Sequence, residues 1–459
     1  MSDKAHKAIS GRASAAKALD KVNLKKDYAA EVLEQYLNLT DERQRATDIV
    51  TGVIRNLCII DAVIEKCADK PVKRISKRII NIIRVGVYEF VYCPQAAEHA
   101  IVNEAVETAK DAVGTKEAGF INAVLRAVQR HIVNRNMPLA DAPIRQTVPV
   151  HSTGGCQFDF DILPDADKDP AEFLALAFSL PQWLVAGWLK DFGLESCRRA
   201  CFGSNRRPAV YVRPNTLKVT TSELAEMFAA DRVEFKVAET SMLRLANPQA
   251  VTELPGFSDG LFTVQDPTAA QAVRLLNPQK GWKILDLCAA PGTKTVQLAE
   301  TTADEATILA TDIDSERLKK VGHNITRLGI KNVKIFPYFL LPKICIAEGP
   351  FDCILLDVPC SNTGVLARRP EVRHRLTPQA VKKLTQVQYR LLQSADKILR
   401  VGATLCYSTC SIQSVENTEQ IKAFLNDHPR YTLESELLTL PSPDEFDHDG
   451  GYTAILQKA

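Results

Sequence analysis

The chain has 459 residues, 46% hydrophobic and 24% charged, with a formal net charge of +2. That length exceeds what one core usually supports and predicts two to four domains, and the composition is that of a soluble globular protein. The start, Met1 to Lys7, is charged and lacks the apolar core of a secretion signal, and the longest uncharged stretch, Phe173 to Leu189, is broken by Ser179, Pro181 and Gln182. Export and a membrane span of about 20 residues are both excluded on this reading, and a cytoplasmic monomer is expected. The twelve cysteines then read as reduced thiols rather than a disulfide framework. Structural zinc is not expected either, because the nearest pairs, Cys197/Cys201 and Cys406/Cys410, are four apart with no neighbouring histidine pair.

The first third has helical periodicity. Ile49, Val53, Leu57, Ile60 and Ile64 recur at spacings of three and four behind a Thr40 cap, which predicts one helix from about Asp41 to Cys67. Val102, Ala105, Ala109 and Val113, then Ile121, Val124, Val128 and Ile132, draw two more stripes separated by Gly114. Between Lys70 and Tyr88, six basic residues (Lys70, Lys73, Arg74, Lys77, Arg78, Arg84) stand without an acid, a pattern suited either to a phosphate backbone or to a solvated helix face. The strings Ile79 to Tyr92, His99 to Val106 and Gly119 to Arg126 make this domain, residues 1–133, resemble the one shared with the antitermination factor NusB, which implies RNA binding.

From 134 to 170 the chain carries Pro138, Pro143, Pro149, Gly154, Gly155 and Pro164 among Asp159, Asp161, Asp165, Asp167 and Asp169, and is expected to be an acidic linker. A helical connector and a small α+β, RRM-like module should follow over 171–275. The module is expected to have a helix from Gln182 to Asp191, strands at Ala209 to Arg213 and Phe262 to Gln265, and a helix at Thr221 to Ala229. A second acid-free basic tract, Arg198 to Ser222, holds Arg198, Arg199, Arg206, Arg207, Arg213 and Lys218.

Residues 276–459 alternate strand-like runs (Lys283 to Leu287, Thr307 to Thr311, Val333 to Phe336, Asp352 to Leu356, Thr404 to Tyr407) with helical ones (Thr293 to Ala299, Glu316 to Leu328, Ala380 to Leu399). The expectation is a parallel, doubly wound α/β sheet of Rossmann-like type, with ligands beyond the carboxyl ends of its strands. Leu285 to Thr295 (LDLCAAPGTKT) places a turn of small residues after the first strand, where backbone can approach a ligand, and Asp312 ends the second, where an acid can bond both hydroxyls of a ribose. A nucleoside-bearing cofactor is implied.

Two further motifs end in cysteine: Asp357-Val358-Pro359-Cys360 after one strand and Tyr407-Ser408-Thr409-Cys410 after another. With LDLCAAPGTKT they resemble the cytosine-5 RNA methyltransferases, and with the NusB-like start the bacterial 16S ribosomal RNA branch of that family. The resemblance spans nearly the whole chain apart from the acidic tract. It implies S-adenosyl-L-methionine as cofactor, held by Cys288, Ala289, Ala290, Pro291, Gly292, Thr293, Lys294, Asp312 and Asp357, and small-subunit ribosomal RNA as partner, with no metal.

Carbon 5 of cytosine is a poor nucleophile, so a thiolate must first add at carbon 6 and turn the ring into an enamine. The resemblance makes Cys410 that nucleophile, assigns Asp357 to N3 of the ring, and gives Cys360 a role in releasing the product. Cys288, Cys353 and Cys406 lie in strand contexts and read as packing residues. A redox dithiol is the rival for Cys360 and Cys410 and requires the sulfurs to lie within reach.

The chain departs from the family in four places. Val333 to Ala347 holds no acid where one usually meets the adenine amino group, and Thr293 replaces a glycine. Val358 and Asn362 replace small residues, and Gly451-Tyr452 stands where two aromatics are common. The missing acid motivates a second reading, an RNA-binding ribosome-assembly factor without turnover. Arg368, Arg369, Arg373, His374 and Arg375 are expected to form a basic rim.

Overall fold

The computed structural model describes residues 8–246 and 250–459; the charged start at Met1 to Lys7 lies outside them. The chain divides into two compact units, 1–207 with 366–376, and 208–365 with 377–459.

The first unit opens with helices α1 (Gly11–Lys21), α2 (Ala29–Leu37), α3 (Arg43–Arg55), α4 (Leu57–Ala68), α5 (Lys77–Tyr92), α6 (Glu98–Ala112) and α7 (Thr115–His131). The single helix expected over Asp41 to Cys67 is two. Asn56, buried, turns its side chain back so that Nδ2 donates to the Gly52 carbonyl at 3.0 Å, and its backbone leaves the helical region at φ −114° and ψ 23°. The break expected at Gly114 is present, with φ at +107°. A buried Arg12 ties α1 to Glu89 of α5 and Glu104 of α6, and Arg45 shares Glu89 at 2.9 Å. Of the first basic tract, Lys70, Lys73, Arg74, Lys77 and Arg78 are exposed, whereas Arg84 is taken up by a two-pronged pair with Asp61, both bonds 2.8 Å.

The tract expected to be a linker holds three strands instead, β1 (Ile132–Pro138), β2 (Thr147–His151) and β3 (Gly154–Phe158), antiparallel in the order β1-β3-β2. Val148, Cys156 and Phe158 are fully buried. The residues that read as breakers have local reasons. Pro149 sits on an edge strand, and a Cβ on Gly155 would lie 2.5 Å from the Val148 carbonyl oxygen, so only glycine fits that close pairing. Arg135 of β1 donates to the carbonyls of Glu89, Phe90, Cys93 and Ala96, satisfying the open end of α5 and the turn after it. Helices α8 (Pro170–Ala177) and α9 (Gln182–Asn205) follow, α9 bending at Gly193, where φ is +75°.

In the second unit a small sheet contains β4 (Tyr211–Pro214), β5 (Phe235–Val237), β6 (Leu243–Leu245) and β7 (Phe262–Val264), antiparallel in the order β5-β6-β4-β7, with α10 (Thr221–Ala230) started by a Thr220/Glu223 capping box. Val212, Leu224, Phe228, Leu243 and Phe262 form its core. Arg213, expected on a basic surface, is buried against Glu300.

The larger sheet contains β8 (Lys283–Asp286), β9 (Thr307–Ala310), β10 (Val333–Ile335), β11 (Phe351–Asp357), β12 (Leu399–Thr409), β13 (Tyr431–Thr439) and β14 (Gly451–Lys458), in the order β10-β9-β8-β11-β12-β14-β13. Helices α11 (Pro267–Leu276), α12 (Thr293–Thr301), α13 (Ser315–Leu328), α14 (Leu341–Glu348), α15 (Pro378–Ile398) and α16 (Thr418–Asp427) accompany it. The expected all-parallel sheet is corrected to a mixed one: β10 through β12 are parallel, and β14 and β13 add antiparallel. The parallel strands are covered on both faces. Leu285, Ile354, Leu356, Leu405 and Tyr407 point to one core, and Ile284, Cys353, Leu355, Cys406 and Ile455 to the other, so Cys353 and Cys406 are packing residues as expected.

Candidate active site

The connections after β8, β9, β11 and β12 all emerge at the carboxyl ends of parallel neighbours, on both sides of the point where strand order reverses about β8. The expected site residues sit on these connections.

After β8, Cys288 to Gly292 form the tight turn. Ala289 and Ala290 are buried, with the Ala289 N–H on the Thr311 carbonyl at 3.0 Å and the Ala290 N–H on Asp312 Oδ2 at 3.1 Å. Side chains of α13 fix the other side of the turn: Arg317 donates to the Ala290 carbonyl at 2.7 Å and Asn324 to that of Pro291 at 3.1 Å. Gly292 has φ +103°, and a Cβ there would lie 3.1 Å from Val321 Cα. Thr293 takes the first helical position of α12, which has no side-chain cap, so its first-turn N–H groups stay open to an anionic group. Asp312 is 6% exposed, and its Oδ1 accepts the Asp314 N–H at 2.9 Å, which steadies the carboxylate at the end of β9. Small buried residues, an uncapped helix start and a fixed acid fit a cofactor carrying a ribose and a carboxylate. Cys288 is half-buried, and burial, then the carboxylates of Asp286, Asp312 and Asp357, push its thiol up.

Lys294 and Asp357 meet across β8 and β11, Nζ to Oδ2 at 2.7 Å, the lysine 12% and the aspartate 34% exposed. Burial works against the Lys294 charge, but Asp357, then Cys410 and Asp286, raise its pKa above the usual lysine value. Beneath them Asp286 is pushed up to about 7, by burial first and by the Asp357 charge, although Thr295 Oγ1 donates to it at 2.7 Å.

Cys360 and Cys410 come together, Sγ to Sγ at 3.1 Å. They differ in setting: Cys360 is buried and Cys410 half-exposed. The Cys410 sulfur and then burial push the Cys360 thiol well up, so Cys360 keeps its proton and Cys410 is the partner open to substrate. Cys410 Sγ also lies 3.3 Å from Asn362 Oδ1, and Asn362 Nδ2 donates to the Cys360 carbonyl at 3.0 Å. Asn362 has φ +61°, a conformation asparagine tolerates better than most side chains, which explains a residue larger than the family's usual one.

Sequence reasoning missed what carries these loops. Gly364 N–H donates to the Cys410 carbonyl at 3.0 Å and Gly450 N–H to the Gly364 carbonyl at 2.8 Å, so the glycine at 450 backs the loops from behind. At Gly451, where an aromatic is common, a Cβ would lie 2.9 Å from the Thr409 carbonyl oxygen, so a side chain there requires the neighbouring backbone to shift. Ser361, Thr363, Gln388, Ser411 and Glu416 form a buried polar cluster behind the sulfurs. Only spacing to a motif marked them, and spacing alone does not separate such residues from solvent-facing ones.

The basic rim after Cys360 is mostly not a rim. Within the first unit, Arg373 is buried and donates to the carbonyls of Arg55 (2.9 Å), Phe178 (3.0 Å) and Ser204 (2.8 Å), and to Asn205 Oδ1 (2.6 Å). His374 Nε2 bonds the Ile54 carbonyl at 2.7 Å, and Arg369 and Arg375 stack on the Tyr28 ring. Backbone carbonyls draw these cations inward because they are the acceptors on offer there.

Three family models match the chain: the NusB family over residues 10–130, the RsmF/B-like ferredoxin-like domain over 180–252, and 16S rRNA methyltransferase RsmB/F over 273–452. Among curated relatives, the probable ribosomal RNA small subunit methyltransferase B of Synechocystis is 31% identical, covering 98% of this chain and 100% of the relative. The ribosomal RNA small subunit methyltransferase B of Yersinia pseudotuberculosis is 32% identical over 97% and 98%. The crystal structure of PH0851 shares the fold, with a TM-score of 0.75 and 24% identity over 99% of this chain and 100% of that one. The chain therefore belongs to the RsmB/F family of small-subunit ribosomal RNA methyltransferases, with a NusB helical domain, a small ferredoxin-like domain and a mixed-sheet methyltransferase domain.

Proposed function

We propose that the protein methylates carbon 5 of a cytosine in 16S ribosomal RNA, using S-adenosyl-L-methionine and a transient bond from Cys410 to carbon 6 of the base. The observation that carries this reading is the pair of sulfurs 3.1 Å apart beside a Lys294–Asp357 ion pair, with Cys410 the more exposed of the two.

The cofactor supplies an electrophilic methyl group on a positively charged sulfur. Ala290, Gly292, Thr293 and the open end of α12 would hold its methionine portion, and Asp312 its ribose. Everything else falls to side chains of this chain. Lys294 retains its charge between Asp357 and Cys410, which places a cation beside the attacking sulfur. The Cys410 sulfur pair adds to carbon 6, and the ring's electrons move toward N3, where a proton shared between N3 and Asp357 neutralises the developing charge. Carbon 5, now nucleophilic, takes the methyl group. Its proton then passes to water, the N3 proton returns to Asp357, the electrons return to the ring, and the carbon 6–sulfur bond breaks with its electron pair going back to Cys410. Cys360, held in contact with the Cys410 sulfur, serves that release step. The base must be unstacked to reach the strand ends, which suits a single-stranded or opened RNA segment. The exposed cations from Lys70 to Arg78 in the NusB domain supply phosphate contacts.

The test is direct: purified protein with methyl-labelled S-adenosylmethionine and precursor small-subunit RNA. Label at carbon 5 of a cytosine is expected. RNA retained on the protein without label would select the assembly-factor reading and reject this one.

A further inference from the structure

We infer that Glu416 is a positioning residue for the methyl-transfer site, one buried carboxyl group that holds the two cysteine loops in register. What the sulfurs do rests on the proposed function above; the register itself is a property of the fold.

Glu416 is fully buried at the end of the short turn Ser414–Glu416 after β12. Its Oε1 accepts the Ser361 N–H at 2.9 Å and Gln388 Nε2 at 3.0 Å, and its Oε2 accepts Ser411 Oγ at 2.5 Å and Ser361 Oγ. Ser361 follows Cys360 and Ser411 follows Cys410, so one carboxyl group is bonded to the residue next to each sulfur. Gln388 of α15 extends the brace, because the same Nε2 also donates to the Pro359 carbonyl at 3.0 Å. The glutamate is fixed in turn: Tyr407 Oη donates to its backbone carbonyl at 2.7 Å.

A carboxylate offers about four acceptor positions and no donor, and four donors converge here. No other side chain of this length meets that demand. Glutamine keeps the shape but accepts at one oxygen only: an NH2 turned toward the Ser361 N–H and Gln388 sets donor against donor, and one turned toward the Ser361 and Ser411 hydroxyls makes both reverse and accept, so their two bonds into the brace are lost. The loops then part at the residues that follow the sulfurs, so the consequence is read at the 3.1 Å approach of Cys360 and Cys410 rather than in the fold at large.

The experiment compares full-length wild-type protein with Glu416→Gln and with Ser411→Ala, which removes one of the four donors. Methyl transfer to precursor small-subunit RNA gives kcat and the KM for RNA. Separately, protein equilibrated in mixtures of reduced and oxidised glutathione is digested and the Cys360–Cys410 disulfide quantified by mass spectrometry. There the two thiols lose two electrons and two protons to one oxidised glutathione, giving two reduced ones. For Glu416→Gln the expected results are a kcat about a hundredfold lower, a KM within about threefold, and a disulfide equilibrium constant about tenfold lower, since the sulfurs no longer share a fixed approach. Ser411→Ala should move both quantities the same way by less, and decides the matter if Glu416→Gln does not fold. An unchanged disulfide equilibrium overturns the inference whatever happens to kcat, and so does an unchanged kcat in an active enzyme. Wild-type protein that transfers no methyl group to carbon 5 defeats the proposed function alone, and the disulfide equilibrium still decides the role of Glu416.

Discussion

Replacing Gly364 by alanine tests whether catalysis depends on how closely the two cysteine loops pack. A Cβ on Gly364 would lie 2.3 Å from the Gly450 carbonyl oxygen, 2.5 Å from its carbon and 2.9 Å from the Cys410 carbonyl oxygen. All three are backbone atoms, so no side chain can swing aside. Ordinary contact begins near 3.4 Å, so the loops must separate by about 1 Å. Crowding of this kind in a packed interior costs about 1–3 kcal/mol of stability. The larger effect falls on rate, because a displacement of about 1 Å at a reacting group costs about a hundredfold. Single-turnover methyl transfer at saturating RNA and cofactor, with thermal unfolding alongside, measures both. Gly119→Ala is the control: nothing lies within 4 Å of a Cβ there, so activity should be unchanged and stability equal or about 1 kcal/mol higher. A Gly364→Ala enzyme within threefold of wild-type rate would refute the claim that loop register limits the chemistry.

Lys294→Met removes the cation shared by Asp357 and Cys410, and methyl transfer should fall about a hundredfold, with Lys294→Arg recovering part of it; equal rates in the methionine and wild-type enzymes would contradict that role. His374 has its pKa lowered to about 4, chiefly by burial, against about 6.5 in an unfolded chain. The unfolded state therefore takes up a proton that the folded state refuses, so folding is destabilised as pH falls from about 6.5 to about 4, by up to about 3 kcal/mol. Unfolding followed across that window should show a shallower decline for His374→Gln, which keeps a donor for the Ile54 carbonyl, than for wild type. Parallel declines would show that the histidine is not the titrating group.

The sequence made some parts of the molecule legible because their physics is local. The breaks at Gly114 and Gly292 follow from backbone conformations that suit glycine, and both glycines show positive φ. Short strand-like runs identified the strands leading to Asp286, Asp357 and Cys410, so the cysteine motifs could be placed at strand ends. Other parts depended on contacts distant in the chain. Pro149 and Gly155 look like breakers until a partner strand requires the one at an edge and the other in a tight pairing. The antiparallel β13 and β14 have no local mark of direction, and the sheet became mixed through pairing that spacing does not reveal. Arg373 and Arg213 read as surface charge, yet one is drawn to backbone carbonyls and the other to Glu300. Glu416, six residues beyond Cys410, bears no motif of its own; its importance lies in four donors that converge only after folding.

The division of labour between the sulfurs is tested most directly by incubating Cys410→Ala and Cys360→Ala proteins with cofactor and precursor small-subunit RNA, then resolving protein–RNA adducts on a denaturing gel. Cys360→Ala should transfer the methyl group and remain covalently attached to its RNA, because release is blocked after the bond to Cys410 has formed. Cys410→Ala should give neither adduct nor methylated RNA. An adduct that persists in Cys410→Ala, or one that is absent from both variants while methylation continues, would contradict the account.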